Sequence, residues 1–380
     1  MKTSLSSLLL MLSISTSPLA GLAASSQLTS QIVDNYAEHI FYNSGATGMA
    51  LVVIDGNQVV NRSFGDTKPG NNQRPRSDSL IRIASITKLM TSEVMVKLAE
   101  EGKVKITDPL RKYAPKGAHV PSYNSRQPIT LLNLATHTSA LPREMPGKKP
   151  PKTPVFIWPT KAQRWQWLAH ASITVPPGVR ASYSNLAYDL LADALANASG
   201  KPYGALLREK ITAPLGMVDT TLTPSAEQCS RLMVAAKGPS ICRDTTAAAG
   251  SGGVYSTPRD MQRWMQQFLS SNVTGSRKPT AMSEQTMYFQ RQDLVSLTGM
   301  DVPGEASALG LGWVYMAPKD SLPGIIQKTG GGGGFITYMA MVPQQNIGVF
   351  VVVTRSELTK FTNMSDPVNR LVADLVANKS

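Results

Sequence analysis

Ser85 and Lys88 have the residue types and the spacing of a nucleophile and its base. Residues three apart lie on one face of a helix, so the Lys88 amine would stand one turn from the Ser85 hydroxyl. A serine hydroxyl is a poor nucleophile until a neighbouring group takes its proton. A lysine can take it only if burial or another cation lowers the lysine pKa. The pair predicts nucleophilic chemistry, although this spacing also arises by chance on many helices.

Two further polar triplets could complete such a site. Residues 183–185 (Tyr-Ser-Asn) form a polar loop before a predicted helix, and residues 328–330 (Lys-Thr-Gly) end a predicted strand and run into more glycines. Two lysines, Lys88 and Lys328, would surround the Tyr183 phenol, and nearby cations favour phenolate. Either Tyr183 or Lys88 could take the serine proton, and the sequence leaves both roles open.

The elements that must position these groups begin with the serine segment itself. From Ser85 an amphipathic pattern continues to Gly102, a typical helix stop. Ser85 is therefore expected at or near a helix N-terminus, where unpaired N–H groups and the helix dipole favour negative charge. Two more helices have clear N-caps. Thr130 is the expected N-cap of the helix in residues 129–138, and Thr257 is the expected N-cap of a helix that begins at Pro258.

Strands are predicted near both ends of the chain. Residues 47–54 and 58–64 are joined by Asp-Gly-Asn, which is a hairpin signal. Between residues 85 and 304 the pattern is mainly helical with long loops. The late strands are predicted at residues 311–315, 324–328, 335–342 and 347–354, and the terminal helices at residues 28–42 and 367–377.

The fold class that follows is α+β, with one antiparallel sheet built from both chain ends and flanked by the terminal helices. We expect a sheet domain from residues 25–84 and 305–380. A mainly helical lobe, residues 85–304, would be inserted between them, and its boundary with the sheet would form a cleft.

Composition limits the class of protein. The chain has 380 residues, 42% of them hydrophobic and 17% charged, which suits one large folded unit or two intertwined ones. Residues 1–24 have the basic start, the short apolar run and the small residues of a signal peptide. No later segment has the apolar length of a transmembrane helix. We therefore expect an exported protein that is soluble or at most peripherally attached to a membrane.

Charge and cysteine content refine this expectation. The net charge of +13 would draw the protein to anionic lipid or wall polymer, and the scattered basic residues show no nucleic-acid motif. Cys229 and Cys242 close a short loop, which predicts a disulfide in an oxidising compartment, the alternative being two reduced thiols. The histidines lack metal-ligand spacing, so neither a metal nor a cofactor is expected, and His137 is interpreted as a buried, hydrogen-bonded residue.

Residues 143–159 form the least regular stretch of the chain. Five prolines and three lysines exclude regular structure there, and Phe156 and Trp158 could anchor the segment to the body of the protein. It could be a basic lip over a substrate groove or a connecting loop.

The three motifs occur in the order Ser-x-x-Lys, Tyr-x-Asn, Lys-Thr-Gly, and this order resembles the serine penicillin-recognising family. That family includes class C β-lactamases and D-alanyl-D-alanine peptidases. The resemblance covers nearly the whole mature chain. It includes the runs at residues 134–142 (Leu-Ala-Thr-His-Thr-Ser-Ala-Leu-Pro), 214–217 (Pro-Leu-Gly-Met) and 252–257 (Gly-Gly-Val-Tyr-Ser-Thr).

The resemblance implies a role for each motif residue. Ser85 would attack a carbonyl carbon and form an acyl-enzyme, while Lys88 and Tyr183 move the proton. Asn185 would orient Lys88 and the substrate amide. The backbone N–H groups of Ser85 and Gly331 would bind the oxyanion.

The Lys-Thr-Gly strand would bind the substrate. Lys328 and Thr329 would hold its terminal carboxylate, since a fixed cation and a hydroxyl suit an anion. Gly330, Gly331 and the glycines after them would let a peptide-like substrate lie close beside the strand.

The resemblance predicts hydrolysis of terminal D-Ala-D-Ala in peptidoglycan peptides and muropeptides, with D-Ala cross-links as a further candidate substrate and β-lactams as acylating ligands. Serine in the middle of Tyr-Ser-Asn, Ser184, resembles the peptidases more than the lactamases. A class C-like β-lactamase, an esterase, and a non-catalytic wall-binding or penicillin-sensing protein remain alternatives. The ratio of activities, the preferred peptide length and the oligomeric state are open.

Overall fold

The computed structural model describes residues 18–269 and 287–379 of the chain. Most of the predicted signal peptide, residues 1–17, lies outside the described residues. Residues 18–24 form the first turns of the N-terminal helix. No helix in the described ranges is long and apolar enough to cross a membrane.

An eight-stranded antiparallel sheet is the centre of the fold. Its strands follow the order β2-β1-β14-β13-β12-β11-β10-β8, so the first hairpin of the chain pairs with the last strand. The strand bounds are β1 Gly48–Asp55, β2 Gln58–Gly65, β3 Ile81–Arg82, β4 Ser122–Asn124, β5 Gln127–Pro128, β6 Arg180–Ser182, β7 Tyr255–Ser256, β8 Phe289–Gln290, β9 Ser296–Thr298, β10 Ala308–Leu309, β11 Val314–Met316, β12 Ile325–Gly332, β13 Phe335–Val342 and β14 Ile347–Thr354.

Helices cover both faces of this sheet. Strands β13 and β14 are buried at every position, which explains why their sequences are apolar runs and do not alternate between apolar and polar residues. The helix bounds are α1 Pro18–Ser44, α2 Thr87–Glu100, α3 Leu131–Ala135, α4 Lys161–Ala169, α5 Asn185–Ser199, α6 Tyr203–Leu207, α7 Ala226–Ser230, α8 Pro258–Gln266 and α9 Thr362–Ala377.

The two terminal helices pack against each other on one sheet face. Val33 and Ile40 of α1 share a core with Val368 and Leu371 of α9 and with the outer face of the sheet. A second core, on the other face, joins the sheet to the helices of the lobe. The predicted α+β class, with terminal helices flanking a sheet made from both chain ends, is therefore confirmed. The residue bounds predicted for the two units stay a prediction.

Local signals positioned several elements correctly. Asp55 pairs with Gln58 across a two-residue turn, as the hairpin signal predicts. Ser184 caps α5 by accepting from the Ala187 N–H, and Gly200 ends this helix in a left-handed conformation. Thr257 caps α8, whose first residue is proline. The predicted disulfide is confirmed, since the Cys229 and Cys242 sulfurs are 2.07 Å apart.

Several predicted boundaries were wrong, and three of these errors have a clear structural reason. The helix predicted over residues 129–138 is confined to α3, because His137 adopts a left-handed conformation (φ 61°) soon after it. The last helix begins at Thr362 and contains Pro367 in its interior, because buried Met364 holds the preceding turn against the sheet. Strand β12 does not end at Lys328 but continues to Gly332, since it pairs with β13 along its full length.

Candidate active site

The structure brings the three motifs together around the Ser85 hydroxyl. Ser85 lies in the 3₁₀ turn Ala84–Ile86, immediately before α2, close to the predicted position at a helix N-terminus. Its Oγ accepts a hydrogen bond of 2.6 Å from the Tyr183 hydroxyl, 98 positions away in the chain. Lys88 Nζ donates to the same oxygen over 3.1 Å. The nucleophile candidate therefore contacts both candidate bases.

Lys88 is completely buried and makes two further hydrogen bonds. Its Nζ donates to Asn185 Oδ1 and to the Ser251 carbonyl, each over 2.7 Å. Burial lowers the Lys88 pKa from 10.5 to about 7, although the negative charge of Asp189 and that of Glu144 oppose this. Lys88 can therefore exchange a proton near neutral pH, as a lysine base requires.

The Tyr183 ring is surrounded by cations. Lys88 Nζ lies 4.7 Å and Lys328 Nζ 4.9 Å from the ring centroid, as the sequence suggested. Arg143 is a third cation, with its guanidinium carbon 4.7 Å from the same centroid. The cations hold the phenol in place through their attraction to the ring face.

His137 also packs against the Tyr183 ring. The two rings stack with centroids 4.6 Å apart, and His137 Nδ1 accepts from the Ser184 backbone N–H over 3.0 Å. Burial lowers the His137 pKa well below its usual value, and nearby Lys328 lowers it further. His137 is therefore a neutral, buried and hydrogen-bonded residue, as predicted.

Lys328 is nearly inaccessible on β12, with 2% of its surface exposed. Burial lowers its pKa to about 8; the Tyr183 phenol opposes the shift, and Lys88 and Arg143 add to it. Thr329 follows it and is half-buried. At neutral pH this strand still presents a cation beside Tyr183, which suits an anionic substrate group.

Gly330 allows β12 to lie against the nucleophile. A Cβ at this position would be 2.2 Å from Thr337 Oγ1, 2.8 Å from the Ile83 carbonyl oxygen and 3.0 Å from the Ser85 backbone nitrogen. At Gly331 the nearest heavy atom to such a Cβ is 4.0 Å away. Gly330 is therefore required for close approach, whereas the space beside Gly331 is open.

The segment 143–159 borders the site at both of its ends. At its start, the Arg143 carbonyl accepts from the Asn185 N–H, and Glu144 accepts from the Asn185 side-chain amide. At its end, the Phe156 ring packs on Gly252 and Gly332, where an added Cβ would approach the ring to 2.7 Å and 2.6 Å. The predicted anchoring role of Phe156 agrees with these contacts.

Comparison with known proteins agrees with this geometry. Residues 29–374 match the family model described as Beta-lactamase. The chain belongs to the β-lactamase family. A curated member of this family from Escherichia coli, D-alanyl-D-alanine-carboxypeptidase/endopeptidase AmpH, is 67% identical over 353 residues, covering 93% of this chain and 91% of the relative. The family predicted from the motifs is confirmed.

Solved structures from the β-lactamase family share the fold. A β-lactamase/D-alanine carboxypeptidase from Yersinia pestis, complexed with citrate, is 75% identical with a TM-score of 0.89, covering 92% of this chain and 99% of that one. A class C β-lactamase from Rhodobacter sphaeroides has a TM-score of 0.74 at 20% identity, covering 91% and 100% of the two chains. The second comparison supports the fold alone.

Four polar contributors to the site were not predicted from the sequence. Arg143 and Glu144 lie in the segment interpreted as a basic lip or a connecting loop, with no role predicted for either residue, and the Ser251 carbonyl is a backbone group that no motif marks. Asp189 had a detectable signal, because it lies four residues after Asn185 on α5 and therefore on the same helix face. An acidic residue at a buried helix position indicates a partner.

We expect Gly330→Ala to lower the free energy of unfolding by about 2–3 kcal/mol, because its methyl group would overlap backbone atoms that cannot move independently. Displacement of the Ser85 turn should also slow acylation by penicillin about 100-fold. Urea unfolding and the rate of labelled-penicillin incorporation measure the two effects. Gly331→Ala is the matched control for stability and should unfold at the wild-type urea concentration. Equal stability of the two variants would contradict this account of Gly330.

Proposed function

We propose that this protein is a serine D,D-peptidase that hydrolyses terminal D-Ala-D-Ala in peptidoglycan peptides. The contact of Ser85 Oγ with both Lys88 Nζ and Tyr183 Oη carries the proposal. The names of the similar proteins, a carboxypeptidase/endopeptidase and a β-lactamase/D-alanine carboxypeptidase, support it. D-Ala cross-links are the second substrate we propose, by analogy with the endopeptidase relative.

The hydrogen bonds around Lys88 favour this residue as the base. A protonated Lys88 donates to three oxygens, of which Asn185 Oδ1 and the Ser251 carbonyl can only accept. After loss of one proton the amine keeps two N–H groups for those two acceptors. Its lone pair then faces Ser85 Oγ, where it can accept the serine proton.

Acylation would proceed from this arrangement. Ser85 Oγ attacks the carbonyl carbon of the scissile D-Ala amide, its proton passes to Lys88, and the C–N bond breaks as the leaving amine is protonated. Lys88 can return this proton to the leaving amine, directly or by way of the Tyr183 hydroxyl, which contacts the same serine oxygen. Water then hydrolyses the ester and returns Ser85 to its free form.

Two groups would stabilise the oxyanion during this step. The backbone N–H of Ser85 and that of Gly331 are the proposed donors, and the closeness of β12 to the Ser85 nitrogen supports the pairing. Lys328 and Thr329 would hold the terminal carboxylate of the substrate. This requirement favours a free carboxylate over a neutral ester.

A β-lactamase is the second candidate, because acylation by a β-lactam needs the same contacts and the Yersinia pestis structure carries both activities in its name. The two functions differ in the rate of deacylation. A non-catalytic binder has no need of a buried, near-neutral Lys88 in contact with Ser85.

We also propose export to the periplasm, and the sheet and lobe bounds given above as the division of the chain.

The first experiment combines a labelled penicillin with a muropeptide ending in D-Ala-D-Ala. Mature protein should form a long-lived penicillin adduct and release D-alanine, and Ser85→Ala should lose both by at least about 1,000-fold, since the nucleophile is absent. Mass spectrometry of the adduct and a D-alanine assay measure the two reactions. Fast penicillin turnover without D-alanine release would identify a β-lactamase instead. Absence of any adduct on Ser85 would favour the binder.

The pKa of Lys88 predicts how acylation depends on pH. A neutral amine is required, so the second-order rate constant should rise about tenfold per pH unit below about 7 and fall again above about 8, where Lys328 loses the charge that binds the carboxylate. Stopped-flow measurement with a chromogenic β-lactam between pH 5.5 and 9 tests this. A rate constant that does not change across pH 7 would exclude Lys88 as the titrating base.

The contacts and charge of the segment 143–159 support its role as a basic lip over the substrate groove. One end touches the site at Asn185 and the other at Gly332, and Lys148, Lys149 and Lys152 between them are exposed. Residues 145–160 contain no acidic residue. Peptidoglycan peptides carry carboxylates beyond the terminal one, so we propose that these lysines attract the more distant part of the peptide.

Changing Lys148, Lys149 and Lys152 together to Gln should lower kcat/KM for a muropeptide about tenfold at low salt, because the attraction of three cations is lost. The loss should shrink at 0.5 M NaCl, and acylation by a small penicillin should stay unchanged. The control neutralises three exposed lysines elsewhere, Lys105, Lys116 and Lys319. An equal loss in both triple variants would show that only net charge matters.

A further inference from the structure

Helix α5 carries three polar residues on one face at four-residue intervals, the half-buried Asn185 and the buried Asp189 and Asp193. Residues four apart share a helix face, so all three point into the lobe. Asn185 accepts from Lys88, and Asp193 forms a bidentate ion pair with Arg164 over 2.6 and 2.8 Å. Asp189 lies between these two pairs, is 5% exposed and has no role in the mechanism above.

Asp189 anchors the segment whose carbonyl binds Lys88. Its Oδ1 accepts from the backbone N–H groups of Gly250, over 3.2 Å, and Ser251, over 2.9 Å. Its Oδ2 accepts from the Ser251 hydroxyl over 3.0 Å. The Ser251 carbonyl in turn accepts from Lys88 Nζ. One carboxylate therefore fixes residues 250 and 251 through three hydrogen bonds, two of them from Ser251.

The positive charges near Lys88 lie around the Tyr183 ring, and the two main negative charges differ in how deeply they are buried. Lys328 on β12 and Arg143 before α4 are cations near the Tyr183 ring, as Lys88 itself is. Only Asp189 and Glu144 contribute negative charge among the main electrostatic influences on Lys88. Glu144 is exposed to solvent, which screens its charge, whereas Asp189 is buried.

The surroundings of Asp189 leave its charge available to Lys88. Arg164 on α4 attracts Asp189 but is already paired with Asp193, whose own charge repels that of Asp189. Tyr203 on α6 faces it as a neutral phenol, because burial raises the Tyr203 pKa. Burial raises the Asp189 pKa to about 6, against the effects of Arg164 and Ser251, so the carboxylate is ionised at neutral pH.

We propose that Asp189 is a positioning residue of the acylation site, which holds the Ser251 carbonyl on Lys88 and balances the Lys88 ammonium with its carboxylate charge. The inference deepens the proposed function and rests on it for its catalytic consequence. Asp189 sets the pH at which the base becomes available, although it touches neither Ser85 nor any substrate position.

Asp189→Asn tests this charge at nearly constant shape. Asn Oδ1 can still accept from the Gly250 and Ser251 N–H groups, and its Nδ2 can donate to the Ser251 hydroxyl. The variant loses the negative charge and reverses the direction of the Ser251 hydroxyl bond, while both backbone hydrogen bonds are kept. Since that charge favours the ammonium form, Lys88 should titrate about one pH unit lower in the variant.

The titration can be followed without any activity. In protein labelled with ¹³C-lysine, the Cε resonance missing from Lys88→Gln belongs to Lys88, and its chemical shift against pH reports the charge of this amine. We expect its midpoint near pH 7 in the native protein and about one unit lower in Asp189→Asn. Glu93→Gln is the matched control, because Glu93 is a buried carboxylate on α2 that is bonded to Trp264 and Gln267, and it should leave the midpoint unchanged.

The pH profile of acylation then connects this charge to catalysis. The acid limb should move to lower pH in Asp189→Asn by the same amount as the resonance. An unmoved resonance would overturn the inference even if the enzyme is active, whereas a moved resonance in a protein that forms no penicillin adduct would overturn only the proposed function. If Asp189→Asn does not fold, Ser251→Ala is the second variant, because it removes one hydrogen-bond donor to Asp189 and thereby raises the pKa of that carboxyl group. The titration midpoint of Lys88 should then move to lower pH by less than in Asp189→Asn. An unchanged midpoint in Ser251→Ala would also refute the inference.

Discussion

The burial of one amine is the constraint on which the rest of this site depends. An ammonium removed from water is stable only where hydrogen-bond acceptors replace the lost solvent. For Lys88 these acceptors are Ser85 Oγ, Asn185 Oδ1 and the Ser251 carbonyl, which belong to three separate parts of the chain. A helix start, a second helix start and a loop must therefore meet at one point. Any displacement among them would leave a buried charge without a partner.

The sequence correctly predicted the parts of the fold that depend on the conformational and capping preferences of individual residues. A turn at Gly56, a cap at Thr257 and a helix stop at Gly200 each follow from a residue whose backbone or side chain permits one arrangement. Boundaries that depended on distant packing were wrong. Strand β12 is extended by pairing with β13, and α9 starts early because its first turn packs on the sheet.

The same distinction applies to the active site. Its motif residues were identifiable because their types and order are specific, and the structure brings Ser85, Lys88 and Tyr183 within hydrogen-bond distance. The residues around them were not identified. The position of Asp189 on its helix indicates that it has a partner, but no short pattern records that the partner is a loop 62 positions later in the chain. Tertiary contacts of this kind set protonation and position, while motifs record only the reacting groups.

The order of strands in the sheet also determines how much of the chain must be present before the active site can form. Strand β1 lies between β2, its neighbour in sequence, and β14, which is close to the C-terminus. A chain that emerges N-terminus first therefore exposes an unpaired edge of β1 until nearly all residues have appeared, and such long-range pairing is slow to form. Lys328 also arrives late, on β12. An incompletely emerged chain would carry Ser85 without the strand that we propose binds the substrate, so the site is complete only once nearly the whole chain has emerged.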